Sequence, residues 1–297
     1  MERITSTHNP RVQAAARLRS ARERAGQGRF LIDGLRELGR AMAAGIVVEE
    51  VFVCNRPDRP AASDVLKSLP ADASLVEVTS AVFAKLSYGE RDAGIVAVAR
   101  TPKADLANLR LGMRQSFNPE PAATAAGQRA VAVGSRLNER QDIIPLVAVL
   151  AGVEKPGNVG AVLRSADAAG VSAVIVADGG TDLFNPNAIR ASLGTIFSEP
   201  LAAASTAAAL AWLRQQGLAL YTARVDAGRL YTDVDWTQPS AIVLGSEAAG
   251  LSSAWTAPDV TSIRLPMHGA ADSLNVSVTA AVIFYEALRQ RQVGEKK

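Results

Sequence analysis

The apolar positions of this chain fall in short runs whose spacing divides the sequence into three stretches. In the first, helical spacing covers residues 10–24, a basic segment, and 34–44, and β-branched runs predict strands at 47–54, 75–79 and 95–99. This alternation predicts a small α/β unit. After Arg100 the pattern breaks into Thr101-Pro102-Lys103, Asn118-Pro119-Glu120-Pro121 and an alanine-rich run at 122–126, a composition suited to turns and flexible chain, with room for one short helix over 104–110. From Pro145 onward, predicted strands at 146–150, 171–177, 218–225, 241–244 and 262–265 alternate with Ala/Leu-rich helical stretches, the pattern of a parallel sheet covered by helices. The last helix, 276–290, is expected to pack through Val278, Ala281, Val282, Tyr285 and Leu288, which recur at helical spacing. The resulting plan is a domain over 1–102, a linker over 103–143 and a second domain over 144–297.

Composition narrows the class. A chain of 297 residues that is 48% hydrophobic can build more than one core. None of its apolar runs reaches the roughly 18 residues needed to span a bilayer, and no apolar stretch follows Met1-Glu2-Arg3 to make a secretory signal. A cytoplasmic protein without membrane contact is expected. The single cysteine, Cys54, excludes an internal disulfide or a cysteine metal cage, and its position after Val51-Phe52-Val53 suggests strand packing. Net charge is only +3, but residues 1–40 hold nine arginines against four acidic residues. Such a face suits a polyanion, because arginine binds phosphate in a fork and neutralised phosphates release counterions. Arg17 and Arg22 are the candidate polyanion contacts, and a solvated helix face explains the same charges equally well.

Open parallel sheets bind ligands beyond the carboxyl ends of their strands, so the loops after the strands carry the candidate chemistry. The first follows strand 146–150 and runs from Gly152 through Gly157-Asn158-Val159-Gly160 to Arg164. It lacks the Gly-Lys-Ser/Thr of a triphosphate loop and the Gly-x-Gly-x-x-Gly of a dinucleotide fold, which weighs against nucleotide-dependent oxidoreductases. Asn158 is expected to cap the following helix, Gly170 to end it, and Arg164 to face the site. In the second loop, Gly245-Ser246-Glu247-Ala248-Ala249-Gly250, two glycines let backbone approach a ligand, and Glu247 is either a ligand acceptor or a helix-start carboxylate. The third runs from Leu265-Pro266-Met267 through His268 and Asp272 to Ser273-Leu274-Asn275; its small residues leave backbone groups open to an adenine edge, and Asn275 has an alternative role as a helix cap.

Taken in order, Asn158-x-Gly160-x-x-x-Arg164, Gly245-x-Glu247-x-x-Gly250, and Leu265-Pro266-Met267 with Ser273-Leu274-Asn275-Val276-Ser277 resemble the three motifs of the SpoU (TrmH-type) RNA 2′-O-ribose methyltransferases of the SPOUT class. The resemblance runs from about Pro145 to Arg291 and takes in Asn185-Pro186-Asn187-Ala188-Ile189-Arg190-Ala191-Ser192-Leu193-Gly194-Thr195-Ile196-Phe197. Ile4-Thr5-Ser6-x-x-Asn9-Pro10 and Phe30-Leu31-Ile32-Asp33-Gly34 are similar to the substrate-binding domain that often precedes that domain.

The resemblance implies an α/β fold whose C-terminal parallel sheet is threaded into a trefoil knot, plus a smaller N-terminal α/β substrate-binding domain. It also implies a homodimer and S-adenosyl-L-methionine as cofactor. Arg164, Glu247 and Asn275 match catalytic positions, Asn158 an RNA contact, and Gly245, Gly250, Leu265, Met267, Ser273 and Leu274 cofactor contacts. An arginine keeps its proton to about pH 12, so Arg164 is expected to clamp phosphate and ribose, not to act as the base. The expected substrate is structured RNA, with ribosomal RNA ahead of transfer RNA because the two-domain layout resembles ribosomal RNA modifiers. A non-catalytic RNA-binding or ribosome assembly factor is the alternative from another class.

Overall fold

A computed structural model describes residues 2–55, 63–88, 94–111, 144–246 and 250–294. The first part of the chain contains β1 (Glu2–Ile4), α1 (Pro10–Arg17), α2 (Ala21–Gln27), β2 (Arg29–Asp33), α3 (Leu35–Ala43), β3 (Val48–Val53), α4 (Ser63–Lys67), β4 (Ser74–Val78), α5 (Ser80–Leu86) and β5 (Ile95–Arg100). Its five strands form one sheet in the order β1-β4-β3-β5-β2, with β5 antiparallel to both β2 and β3. Cys54 is buried just beyond β3, as strand packing requires.

The basic segment expected as one helix is two. Asn9 caps α1 by accepting the Arg11 N–H at 2.9 Å, and Pro10 occupies the first turn, where its missing N–H costs nothing. The chain then leaves helical geometry at Ser20, whose backbone is extended. Arg24 accounts for the break: it is only 3% exposed and donates to the carbonyls of Leu18 and Arg19, at 2.7 and 2.8 Å. Of the expected linker, residues 112–143 lie outside the described region, and the short helix expected over 104–110 is a 3-10 turn at Leu106–Asn108.

The second part contains β6 (Leu146–Ala151), α6 (Pro156–Ala169), β7 (Ala173–Ala177), α7 (Pro186–Ala191), β8 (Leu201–Ala204), α8 (Thr206–Gln215), β9 (Ala219–Ala223), β10 (Arg229–Leu230), β11 (Ser240–Gly245), β12 (Val260–Arg264) and α9 (Val276–Gly294). Seven strands form the sheet β10-β12-β9-β11-β6-β7-β8, and every pairing in it is parallel. The expectation of a mixed α/β protein with a C-terminal parallel sheet is borne out. The strands β6, β7 and β11 are apolar along almost their whole length, and β6 and β7 are buried throughout. Such near-continuous apolar runs are what a sheet covered on both faces requires.

The face by which α9 packs is not the one its periodicity suggested. Val276, Ala280, Ile283, Phe284 and Ala287 are buried, whereas Val278 and Tyr285 are 48% and 51% exposed. Apolar residues surround most of this helix, so spacing alone does not select a face. Its end is anchored by Arg291, which donates to the carbonyls of Trp236 and Ile144, both at 2.8 Å, and burial pulls that guanidinium below its ordinary pKa. No helix among the described residues is long and apolar enough to cross a membrane.

One apolar cluster runs through both sheets, with the Phe30 ring of β2 lying 5.0 Å from Phe184 and 5.8 Å from Phe197, centroid to centroid. Beside it, burial pushes the Asp33 carboxyl up to about 6, against the Tyr88 N–H that it accepts and the nearby Arg190 charge. The folded protein therefore binds a proton at Asp33 between pH 4 and 6 that the unfolded chain has released, so this site favours folding at low pH and loses that contribution as pH rises through 6. Asp33→Asn, which keeps an acceptor for Tyr88, is expected to match or exceed the wild-type melting temperature at pH 7.5 and to lose that advantage by pH 4. Melting curves across this range check it; a variant that is weaker at pH 7.5 and recovers on acidification contradicts it.

Candidate functional site

The carboxyl ends of β6 and β11 lie side by side, with Ala151 paired to Gly245, and the β12 end follows across β9. Parallel pairing thus brings all three sequence-predicted loops to one edge of the sheet. The loop after β6 is held on its flank: Gly152 N–H donates to Ala177 O at 2.8 Å, and Thr181 donates its hydroxyl to Val153 O at 3.0 Å. It leads into α6, which starts at Pro156, with Lys155 at the cap position. Asn158 is therefore inside the first turn and does not cap the helix, because proline takes the first helical position ahead of it. Gly170 ends α6 in the left-handed region, at φ 79°, as expected.

Asn275 stands immediately before α9, its side-chain oxygen accepting the Ser277 N–H at 2.9 Å and its amide donating to Asn158 Oδ1 at 3.2 Å. One side chain thus caps α9 and ties the third loop to the first. Arg164 lies further along α6 than Asn158, is solvent-exposed, and has no protein partner among the described residues.

Gly245 is required where it stands. A Cβ there would lie 2.6 Å from the carbonyl carbon and oxygen of Gly250, which folds back through an isolated bridge to Ser246 and sits at φ +65°. Glu247 falls between these glycines, outside the described residues. In the third loop, Leu265 and Met267 are half-buried, while Ser273 and Leu274 are exposed, as are His268 and Asp272. Among the described residues, no backbone N–H or C=O of residues 266–274 has a hydrogen-bond partner. A loop with open backbone groups, beside a strand end where only glycine fits at the carboxyl edge of a parallel sheet, suits a ligand with a flat, hydrogen-bonding heterocycle.

The N-terminal arginines divide into two groups. Arg11 pairs with Glu2 and Glu50, Arg24 with Asp182, Arg29 with Glu49 and Arg36 with Glu37, while Arg40 donates to Leu193 O. Much of the counted positive charge is therefore spent inside the protein. Arg3, Arg17 and Arg22 are exposed and have no partner among the described residues. Arg17 ends α1 and Arg22 lies in the first turn of α2. Sequence reasoning gave no role to Tyr88, Arg190 and Asp182, which join the two sheets; only the resemblance over 185–197 pointed toward that region.

The comparisons with known proteins agree with this geometry. The model of the SpoU rRNA Methylase family matches residues 145–285, and that of an MRM3-like substrate binding domain matches residues 9–97. A solved structure of an RNA 2′-O ribose methyltransferase is 42% identical, superposes with a TM-score of 0.75, and covers 98% of this chain and 99% of its own. AviRb from Streptomyces viridochromogenes, a SpoU methyltransferase solved in complex with AdoMet, is 26% identical with a TM-score of 0.78, over 96% of this chain and 99% of that one. The 23S rRNA (guanosine(2553)-2′-O)-methyltransferase RlmP of Bacillus subtilis (strain 168) is 25% identical over 96% of this chain and 98% of its own length. This chain belongs to the SpoU rRNA methylase family. The resemblance read from the three motifs, and the methyltransferase class it implied, are borne out.

The bond between Asn275 and Asn158 yields a test. Asn275→Ala removes both a helix cap and a tie between loops and is expected to cost about 1 kcal/mol or more. Asn275→Asp keeps the cap acceptor but has no amide to donate, so it should retain most of the stability. Denaturant unfolding of the two variants checks this, and equal losses would show that the cap does not carry the effect.

Proposed function

We propose that this protein transfers a methyl group from S-adenosyl-L-methionine to a ribose 2′-hydroxyl of ribosomal RNA, with 23S rRNA as the substrate. The observation that carries the reading is the convergence of the three family motifs on one edge of the parallel sheet, with Asn158 and Asn275 in contact there. Relatives over nearly the whole chain are named for 2′-O-methylation of 23S rRNA, and this supports ribosomal over transfer RNA. It also supports a cytoplasmic location. The domain plan belongs to the same reading: an RNA substrate-binding domain over 1–102, a linker over 103–143 and a methyltransferase domain over 144–297.

When bound, the cofactor supplies an electrophilic methyl on a sulfonium centre. Gly245, Gly250, Leu265, Met267, Ser273 and Leu274 hold it, chiefly through the backbone of the second and third loops. A ribose hydroxyl is a poor nucleophile, so the protein must align it and stabilise the negative charge that grows on its oxygen. Arg164 does this as a protonated clamp on the ribose and its phosphate, and the hydroxyl proton leaves to a phosphate oxygen or water. Asn158 holds the RNA, while Asn275 and Glu247 order the site around it. Arg17 and Arg22 bind phosphates at a distance from the reaction.

A trefoil knot and a homodimer complete the proposal. The insertion of β11 between β6 and β9, which precede it in the chain, supports the first. The stripe of Leu274, Val278 and Tyr285, exposed on and beside α9, supports the second, since apolar residues aligned on one helix face serve association.

With unmodified 23S rRNA and labelled cofactor, the wild-type protein is expected to transfer label. Arg164→Ala should lose transfer by about 100-fold or more while binding cofactor nearly normally, in line with loss of one stabiliser of developing charge. Arg17→Glu with Arg22→Glu should weaken RNA binding and flatten its salt dependence. Failure of the wild type to bind cofactor even with RNA present would favour an assembly factor, and transfer only to transfer RNA would reassign the substrate. Separately, Tyr285→Glu is expected to shift the sedimentation coefficient from dimer to monomer; a monomeric wild type contradicts the dimer.

A further inference from the structure

The chain between β7 and β8 touches both halves of the molecule. On one side it meets the N-terminal sheet. Asp182 pairs with the buried Arg24, Phe184 and Phe197 flank Phe30, Asn187 Nδ2 donates to the Tyr88 hydroxyl at 3.0 Å, Arg190 donates to Tyr88 O, and Leu193 O accepts from Arg40 at 3.0 Å. Tyr88 is itself held on the N-terminal side, its N–H donating to the Asp33 carboxylate. Leu193 adopts φ +55°, uncommon for a residue with a side chain. At the next residue, Gly194, a Cβ would lie 3.2 Å from the Glu37 backbone.

On its other side the same segment supports α6. A Cβ at Gly160 would lie 2.3 Å from Ala188 O, 2.7 Å from the Ala191 Cβ and 2.9 Å from Ser192 N. α6 and α7 therefore meet at backbone distance, with only the rigid Ala191 methyl between them and no flexible side chain to absorb a shift. Gly160 lies two residues beyond Asn158 and one helical turn before Arg164. Displacing α7 displaces the helix that carries both.

We propose that Arg190 and Tyr88 are positioning residues: they lock α7 to the N-terminal domain so that RNA engaged by that domain sets, through the contact at Gly160, where α6 presents Asn158 and Arg164. This rests on the reading of the protein as an RNA methyltransferase. Neither residue touches the reacting atoms; their effect passes through packed backbone. A misplacement of about 1 Å far from the chemistry can cost about 100-fold in rate, so a lock of this kind is worth a large part of turnover.

The test compares wild type, Arg190→Ala and Arg190→Lys in the full-length protein. Hydrogen exchange of α6 is followed with and without a 23S rRNA fragment, alongside kcat, RNA KM and melting temperature. In the wild type, RNA is expected to slow exchange across α6. Arg190→Ala should bind the fragment with KM within about twofold yet lose that slowing, and kcat should fall by about 10- to 100-fold. Arg190→Lys should restore part of both. Tyr88→Phe, which removes only the hydroxyl partner of Asn187, should fall between wild type and Arg190→Ala.

A wild type that transfers methyl while α6 exchange ignores RNA overturns the coupling and leaves the methyltransferase reading intact. A loss of rate that merely follows melting temperature, or an unchanged kcat in Arg190→Ala, overturns it too. A wild type that protects α6 on binding RNA but transfers no methyl sinks the enzymatic reading and spares the coupling.

Discussion

Gly160 is where α6 and α7 are held at backbone distance, and the arrangement of the site depends on that contact. A side chain there would collide with Ala188, Ala191 and Ser192, so the helix carrying Asn158 and Arg164 has one seat against its neighbour. From that seat the first loop is pinned through Gly152 and Thr181, the third loop is tied on by Asn275, and the N-terminal sheet is joined through Phe30, Tyr88 and Arg24. Close-packed interiors transmit displacement and do not absorb it, which gives the interface with the N-terminal sheet a bearing on the loops.

Electrostatics acts on two scales. Several N-terminal arginines are consumed as internal fasteners, and a buried arginine such as Arg24 is tolerated because its guanidinium meets a carboxylate and two carbonyls at once. The N-terminal arginines that stay exposed and without a partner among the described residues, Arg3, Arg17 and Arg22, can give long-range attraction to a polyanion, as can Arg164 on α6. Bulk charge said little about the partner, and the distribution of paired and unpaired arginines says more.

Much of the architecture was legible because strands and loops obey local rules. β-branched runs located five of the seven strands in the C-terminal sheet, missing the alanine-rich β8 and the two-residue β10, and since parallel strands must end on the same side, the three loops could be read as one edge. Local rules failed where tertiary contacts decide. The break between α1 and α2 follows from Arg24 turning inward, which no spacing reveals. The packed face of α9 was misassigned because its circumference is apolar, and Asn158 was read as a cap although Pro156 had already started the helix. The coupling segment at 182–197 had no periodic signature of its own; its meaning lies in partners far away in sequence, such as Tyr88 and Arg40.

The most direct test of the chemistry is the alkali sensitivity of the methylated product. Ribosomal RNA labelled by the enzyme is hydrolysed in base, where each phosphodiester is cut by its neighbouring 2′-hydroxyl. A methyl on that oxygen removes the nucleophile, so the account predicts label in alkali-resistant dinucleotides. Label recovered in mononucleotides would place the methyl on a base and contradict the assignment of Arg164 to a ribose oxygen.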